Sequence, residues 1–400
     1  MKFLVVNMPC MGCNIPTVGF VKQLVQRGHE VAVTSSSIGD SRIKAMFDIP
    51  GVKFIDVNSD SLDGYFDGRE CGINDDGMNI AAITMNAINE APKYDAVIYD
   101  YYTFPLYYLK DRNICTIRFF PNFAFNQKLS DRLFRGEESK LIQNAHLIKI
   151  SDDIFREVGK RGIDFKYSCI DEEIMNNVAD YNIVHTLREL QPYTEDFDDS
   201  YQFVGSNGSV TINSVCTIPF DKMKGKILYI SFGTIVSQIG DCRREIIKSI
   251  IREYANTEYS LIISVGLLIN LNEFENVPKN IYLYNFVPQG EVLKHASVFV
   301  THGGANSINE SVYYGVPMIV IPGSFDQIIN AEMVEKRQLG YMLDEQDFTS
   351  SKLREMIDSV LDDVMINNNV KSMQKEMLDM NCDEMTADLI EKYTREYLER

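Results

Sequence analysis

The sequence predicts an α/β protein of two doubly wound parallel-sheet domains that face each other across a cleft. Three observations lead there. The chain has 400 residues, enough for two domains. Short continuous apolar runs of strand length alternate with stretches of helical periodicity, the pattern of open sheets covered on both faces. That pattern also starts afresh past the middle of the chain, at Lys226. With 45% hydrophobic and 24% charged residues the composition is that of an ordinary globular protein with material for two cores.

The first strand is Lys2-Phe3-Leu4-Val5-Val6-Asn7, apolar throughout as in strands buried on both faces. Met8 to Thr17, with two prolines and a glycine, reads as a loop. Val18, Val21, Leu24 and Val25 then recur at helical spacing, and Gly28 ends that helix before a strand at Val31 to Thr34. Further strands are expected at Val52 to Val57, Ala96 to Asp100 and Ile114 to Arg118. Glu195 to Ser214, rich in Asp, Ser, Asn and Gly, reads as a solvated connection, with the boundary near 205 to 220. The second half opens with Lys226 to Ile230 and the turn Ser231-Phe232-Gly233-Thr234. Strands follow at Leu261 to Val265, Ile281 to Phe286, Val298 to Thr301 and Met318 to Ile321. From Ala387 to Arg400, Leu389, Ile390, Tyr393 and Tyr397 form the apolar stripe of an amphipathic terminal helix. The expected division is therefore 1–210, 218–384, and a terminal helix at 385–400 that packs back on the first domain.

Charge and segment length exclude several classes. The 39 basic and 57 acidic residues leave a formal net charge of −18, and no concentrated basic stripe offsets it, so a nucleic-acid partner is not expected. No apolar run approaches the ~18 residues a membrane span needs, and the apolar start is too short for a signal peptide, which predicts a cytoplasmic protein. Eight scattered cysteines do not form the framework of a small secreted domain.

The densest chemical signal runs from Val298 to Gln327. A strand ending at Thr301 leads through His302-Gly303-Gly304-Ala305-Asn306-Ser307 into a helix at Ile308 to Tyr314. Glycines at a strand-to-helix turn let backbone amides approach an anion, and the helix start adds the positive end of its dipole, which outlines a phosphate cradle. Glu310 lies one turn deeper, where a carboxylate suits the vicinal hydroxyls of a ribose better than a phosphate.

These residues resemble a known family. The run of Phe286-Val287-Pro288-Gln289, His302 through Ser307, Glu310, Gly315-Val316-Pro317 and Asp326-Gln327 is similar to the donor signature of the UDP-dependent family 1 glycosyltransferases, nearest to their bacterial macrolide branch. Leu190-Gln191-Pro192-Tyr193, Phe197-Asp198-Asp199, Phe203-Val204-Gly205 and Ser231-Phe232-Gly233-Thr234 extend the likeness over nearly the whole chain. The resemblance implies two Rossmann-like domains of the GT-B kind. It also implies an inverting transfer of a hexose, glucose by family habit, from a UDP-sugar to a small apolar or aromatic acceptor. Phe286 would stack on the uracil, the Val287 backbone would bond the base, and Gln289 and Glu310 would reach the ribose. His302 would meet the pyrophosphate, with Asn306, Ser307 and the Gly304 backbone on phosphate oxygens and Gly233 and Thr234 closing over them. Asp326 and Gln327 would bind sugar hydroxyls. No cofactor or metal is implied, because the helix dipole and His302 would do the neutralising.

The same resemblance exposes a departure. The family's base is a His after the first strand, in a Gly-His-x-Asn-Pro-Thr context, steadied by an Asp from a later strand end. Here Gly12, Pro16 and Thr17 align, but the His position is Cys13, while Asp100 keeps the place of the Asp. Cys13 near a helix start is a candidate base only if its thiol is acidified. His29 belongs to the opposite end of the sheet, and His146 and His185 fall in segments without a clear assignment. Three readings stay open: an acceptor that ionises by itself, Asp100 acting directly or through water, or a sugar-nucleotide-binding helper or sensor. Tyr101, Tyr102, Phe104, Tyr107, Tyr108, Phe119, Phe120, Phe123 and Phe125 suggest an aromatic acceptor pocket, with Tyr101, Phe119 and Phe123 foremost. The Cys10-x-x-Cys13 pair, lying between a strand and a helix, also carries a rival redox reading.

Overall fold

The structure is a computed structural model of the chain. It describes all residues except 39, 58–74, 102, 104–108, 110–112, 136–178, 209–215, 234–239, 268 and 324, and omits the side chains of 75–81, 133–135, 240–242 and 325. Two compact units result: Met1–Gly205 with Asn381–Arg400, and Ser206–Met380.

The first unit is built on a seven-stranded sheet in the order β3-β2-β1-β4-β5-β6-β7. Its strands are β1 (Lys2–Val6), β2 (Glu30–Ser35), β3 (Val52–Asp56), β4 (Ala96–Asp100), β5 (Cys115–Phe120), β6 (Tyr181–Val184) and β7 (Tyr201–Phe203). All neighbours pair in parallel. Apolar residues without a polar alternation are what parallel strands covered on both faces require, and β1 and β4 show it, with nearly every position buried; β5 is buried at every position although it carries Thr116 and Arg118. The order reverses direction between β1 and β4. That makes their carboxyl ends the switch point where open α/β sheets leave a crevice.

The second unit repeats the plan in six strands, β10-β9-β8-β11-β12-β13. They are β8 (Ile227–Ser231), β9 (Ser260–Ser264), β10 (Ile281–Tyr284), β11 (Val298–Thr301), β12 (Met318–Val320) and β13 (Gly340–Met342), again all parallel. Its switch point lies between β8 and β11.

Several expectations need correction. The first helix runs Met11–Gln26 and takes in the segment read as a loop, with Pro16 inside it. Pro16 falls in its second turn, early enough that only one intrahelical bond is lost. The segment read as a solvated connection from Glu195 begins with β7, an edge strand of the first sheet, and only from Ser206 does the chain belong to the second unit. β6, β7 and β13 were not expected. The terminal helix spans Cys382–Leu398 and packs within the first unit against the helix Met11–Gln26 and β5. Its buried Ala387, Ile390 and Tyr393 face that surface, and Tyr393 stacks on Tyr181 at 4.1 Å. Arg27 reaches Asp388 at 2.6 Å, and His29 reaches Glu391 at 2.8 Å. Against the upward push of burial, hydrogen bonds from His29 and Arg27 hold the Glu391 carboxyl below its ordinary range.

This packing sets an expected outcome. Ile390→Ala removes a fully buried side chain and should destabilise the first unit by roughly 2–5 kcal/mol, whereas Leu398→Ala, at an exposed position, should change urea unfolding by less than about 0.5 kcal/mol. Equal midpoints for the two variants would contradict the placement of this helix.

Candidate functional site

In the second unit, β8 and β11 lie side by side with Ser231 opposite Thr301. Their outgoing chains therefore meet. From β8 the backbone passes Phe232 into Gly233, at φ 80°, and from β11 it passes His302 into Gly303, at φ 84°. His302 is clamped between the two turns. A Cβ on Gly233 would lie 2.6 Å from its Cε1, and a Cβ on Gly304 would lie 2.5 Å from its Nε2, so only glycine leaves room for the ring. The turn is pinned by Gly303 N donating to Thr301 Oγ1 at 3.3 Å and by Asn330 Nδ2 donating to the Gly303 carbonyl at 2.9 Å.

Gly304 is the N-cap of the helix Ala305–Tyr314, and having no side chain it cannot accept from the amides of the first turn. Those amides keep their partial positive charge toward the crevice, with no acidic residue in that turn to cancel it. His302 is not a second source of charge, which corrects the expectation. Burial and the nearby Arg243 guanidinium pull its pKa down to about 4, leaving a neutral imidazole bonded to the Ser231 backbone. It offers a hydrogen bond rather than a cation.

Arg243, from the helix Gly240–Glu253, was missed by sequence reasoning. Its guanidinium lies over the Phe232 ring at 4.6 Å, pairs Glu345 at 3.3 Å and donates to the Ile321 carbonyl at 3.5 Å. A Cβ on Gly323 would come within 2.5 Å of its Nη2. One buried cation thus ties together the chains leaving β8 and β12 and places positive charge beside His302. Nothing local marks it, since its partners are distant in sequence.

Deeper along the same helix, Glu310 and Ser307 converge on Gln289. Gln289 Nε2 donates to Glu310 Oε2 at 2.5 Å and to Ser307 Oγ at 3.3 Å, while the buried Tyr229 hydroxyl donates to Gln289 Oε1 at 3.1 Å. A buried carboxylate and an amide held together in this way present the acceptors and donor that paired hydroxyls need. Phe286 is half-buried just before Gln289, and Val287 is buried. Asn306 is half-buried in the first turn of the helix, and Asp326 in that of Phe325–Lys336, where Gln327 Oε1 accepts from Gly323 N at 3.0 Å. Thr234 lies outside the described residues.

In the first unit, β1 and β4 deliver Cys13 and Asp100 to one place. Beyond β1, the buried Asn7 amide donates to Asn14 Oδ1 at 3.2 Å and Thr17 Oγ1 at 2.8 Å. Asn14 Nδ2 in turn donates to the Met8 and Cys10 carbonyls, both at 2.7 Å. This closes the approach to the first helix, of which Cys10 is the N-cap. Asp100, the last residue of β4, is 1% exposed. Its carbonyl is held by Thr103 N at 2.8 Å and Thr103 Oγ1 at 2.7 Å. The Cys13 thiol is hydrogen-bonded to both Cys10 and Asp100. The bond to Cys10, burial, and the negative charge of Asp100 all push its pKa up. The condition on which Cys13 could serve as the base is therefore not met: its thiol stays protonated.

Tyr101, Phe119 and Phe123 all lie in the interior of the first unit, each at most 5% exposed. Tyr101 packs on Phe120 at 5.4 Å and Phe125 at 5.1 Å, Phe119 on Phe20 at 5.4 Å, and Phe123 on Phe125 at 5.0 Å. Tyr102, Phe104, Tyr107, Tyr108 and His146 lie outside the described residues. His185 follows β6, fully enclosed, and burial pulls it down to about 4.

Comparison with known proteins agrees with the fold. Residues 222–380 match the family model for "UDP-glucoronosyl and UDP-glucosyl transferase". The chain is 28% identical over 400 residues to the NDP-glycosyltransferase YjiC of Bacillus licheniformis, covering 97% of this chain and 96% of that one. It is also 28% identical over 213 residues to the oleandomycin glycosyltransferase of Streptomyces antibioticus, covering 52% of this chain and 48% of that one. The fold matches the solved glycosyltransferase of kitacinnamycin with a TM-score of 0.76, 22% identity and coverage of 98% and 99%. Residues 222–380 thus carry the domain of that transferase family, and the chain over nearly its whole length is similar to glycosyltransferases.

The transferase therefore takes a nucleotide-sugar donor and a small-molecule acceptor. Among the described residues, no helix is long and apolar enough to cross a membrane, and no group of three or more His, Cys, Asp or Glu is placed to hold a metal ion. Gly304→Ala offers a clean probe of the His302 clamp, since Gly304 has φ −60° and ψ 144°, which alanine adopts without strain. The added methyl must displace the ring. UDP affinity measured by calorimetry should fall at least about tenfold, or about 1.4 kcal/mol, while unfolding free energy shifts by about 1 kcal/mol or less. Unchanged affinity would remove His302 from the donor site.

Proposed function

We propose that the enzyme transfers a hexose, glucose by the resemblance, from a UDP-sugar to a small apolar or aromatic acceptor, with inversion and without a metal or other cofactor. The acceptors it serves best carry a nucleophile that is already anionic, such as a carboxylate or phenolate. On this reading Phe286 and Val287 take the uracil, Gln289 and Glu310 the ribose, and Asp326 and Gln327 the sugar hydroxyls. Asn306, Ser307, His302 and the amides following Gly304 take the pyrophosphate, with Gly233 and Thr234 closing over it. The helix start and Arg243 supply the positive charge.

One observation carries the acceptor half: the protonated Cys13 thiol bonded to Asp100, at the position where the family resemblance implies an imidazole. In an inverting step the acceptor oxygen attacks the anomeric carbon on the face opposite UDP, the bond to the UDP oxygen breaks, and UDP leaves with its electron pair. An anionic acceptor brings no proton to dispose of. A neutral alcohol does, and a high-pKa thiol cannot take it, which leaves Asp100 as the acceptor of that proton. Binding both reactants together supplies most of the acceleration, so the reaction survives without an imidazole.

Two measurements test this. Calorimetry should show UDP binding that Glu310→Ala weakens; absence of binding by UDP and by UDP-sugars would overturn the donor assignment. Cys13→His should raise turnover on neutral hydroxyl acceptors by about 10²- to 10⁴-fold, with little gain on carboxylates, and Asp100→Asn should cancel that gain. Equal wild-type rates on alcohols and acids would show that another residue supplies the base.

A further inference from the structure

The transfer reaction leaves the pairing of Cys10 with Cys13 without a role. Cys10 is the N-cap of the helix Met11–Gln26, with extended backbone at φ −138° and ψ 151°, and it is partly exposed. Cys13 lies three residues on, one turn inside the helix, and is buried. Side chains at this spacing on a helix are about 5–6 Å apart at Cβ, and a modest approach brings them into the range a disulfide spans. Here the two thiols already share a hydrogen bond, and the Asp100 carboxylate is bonded to the inner one. The three groups are graded from outside to inside: a reachable sulfur at the positive end of a 16-residue helix, a shielded sulfur against it, and a carboxylate behind. That gradation fits a dithiol in which the outer sulfur meets an oxidant and the inner one closes the bond.

We propose that Cys10 and Cys13 form a reversible dithiol–disulfide pair, oxidised by low-molecular-weight disulfides, with Asp100 taking the proton of Cys13 as the bond closes. The Cys10 thiolate attacks one sulfur of the small disulfide, its S–S bond breaks, and one thiolate leaves. Cys13 then gives its proton to Asp100, its sulfur attacks Cys10 Sγ, and the second small thiolate is expelled. The two departing thiolates take up the two protons that the pair has lost. Two protein thiols are oxidised to one disulfide, and one small disulfide is reduced to two thiols. The consequence for transfer rests on the reading above: once oxidised, Cys13 has no proton to donate to Asp100, so the redox state alters the group that remains to accept a proton from an alcohol.

The test uses the full chain equilibrated in buffers of oxidised and reduced glutathione, acid-quenched, alkylated and digested with trypsin. The peptide Phe3–Lys22 contains both cysteines. It should pass from doubly alkylated to an unalkylated form lighter by two hydrogens, reversibly, at a glutathione ratio shifted at least tenfold from that of the same chain in urea. Cys13→Ser should instead trap Cys10 as its glutathione adduct. In Asp100→Asn the adduct should form at the wild-type rate but resolve at least tenfold more slowly. Independent alkylation of both cysteines at every ratio, or an identical midpoint in urea, would overturn the pair; unaltered resolution in Asp100→Asn would overturn the role of the carboxylate. UDP binding measured on the same samples reports separately on the transferase reading, so a failure of either is recognisable without the other.

Discussion

The second unit depends on one steric constraint: the His302 ring fills the space between the chains leaving two adjacent strands. Register sets Ser231 beside Thr301, and from there both backbones must turn away without a Cβ on the side that faces the ring. Gly233 and Gly303 supply left-handed turns, and Gly304 supplies the bare N-cap. Each glycine answers a different requirement, two of backbone angle and one of contact. The consequence is an imidazole packed against both turns and a helix start whose N-cap has no side chain to bond the first-turn amides. Arg243 completes the arrangement from behind, bridging Phe232, Ile321 and Glu345 and adding to the burial that keeps the imidazole neutral.

The first unit uses the same strand order and the same switch point for a different kind of chemistry. There the crevice edge is set by buried amides and hydroxyls: Asn7 to Asn14 and Thr17, and Asn14 back to the Met8 and Cys10 carbonyls. Such a network is costly to leave half-made, so it fixes the helix start where Cys10 and Cys13 stand. Asp100 arrives from the neighbouring strand and meets a thiol rather than an imidazole. A carboxylate beside an imidazole stabilises a cation, whereas beside a thiol it opposes the formation of an anion. A thiol at this position therefore gives the coupling the opposite sign from an imidazole, which is the ground for the proposed preference for anionic acceptors.

Much of this was legible in the sequence, for identifiable reasons. Continuous apolar runs marked β1, β4, β8, β9 and β11 to within a residue or two, because strands covered on both faces leave no room for polar positions. The glycines and Glu310 were legible because their chemistry is local to one turn. β6, β7 and β13 were not, being three or four residues long and carrying Asn182, Gln202 or Tyr341 within them. Their strand character comes from a neighbour already in place. The helix start at Met11 was hidden by Gly12 and Pro16, which usually end helices but here sit in its first two turns. Arg243 reads locally as one of two adjacent arginines on an amphipathic helix, and only partners far along the chain bury it. The direction of the Cys13 pKa was only partly legible: the bond with Cys10 is local, but its burial and the charge of Asp100 come from the packing of other strands.

Under the donor assignment proposed above, the overall charge sharpens what the site must accomplish. A chain with a formal net charge of −18 repels a nucleoside diphosphate at long range. At physiological ionic strength the Debye length is about 8 Å, so the exposed carboxylates beyond that distance are largely screened. What an arriving diphosphate meets is then the local field, the first-turn amides of the helix Ala305–Tyr314 with Arg243 behind them, acting in a partly buried setting where screening is weak. A neutral His302 suits that setting better than a charged one. An imidazolium beside Arg243 would carry a desolvation penalty and an unfavourable like-charge interaction, whereas the neutral ring can still donate one hydrogen bond to a phosphate oxygen. On that proposal charge and geometry divide the labour: the helix start and Arg243 would attract the diphosphate, and the His302 ring would direct it.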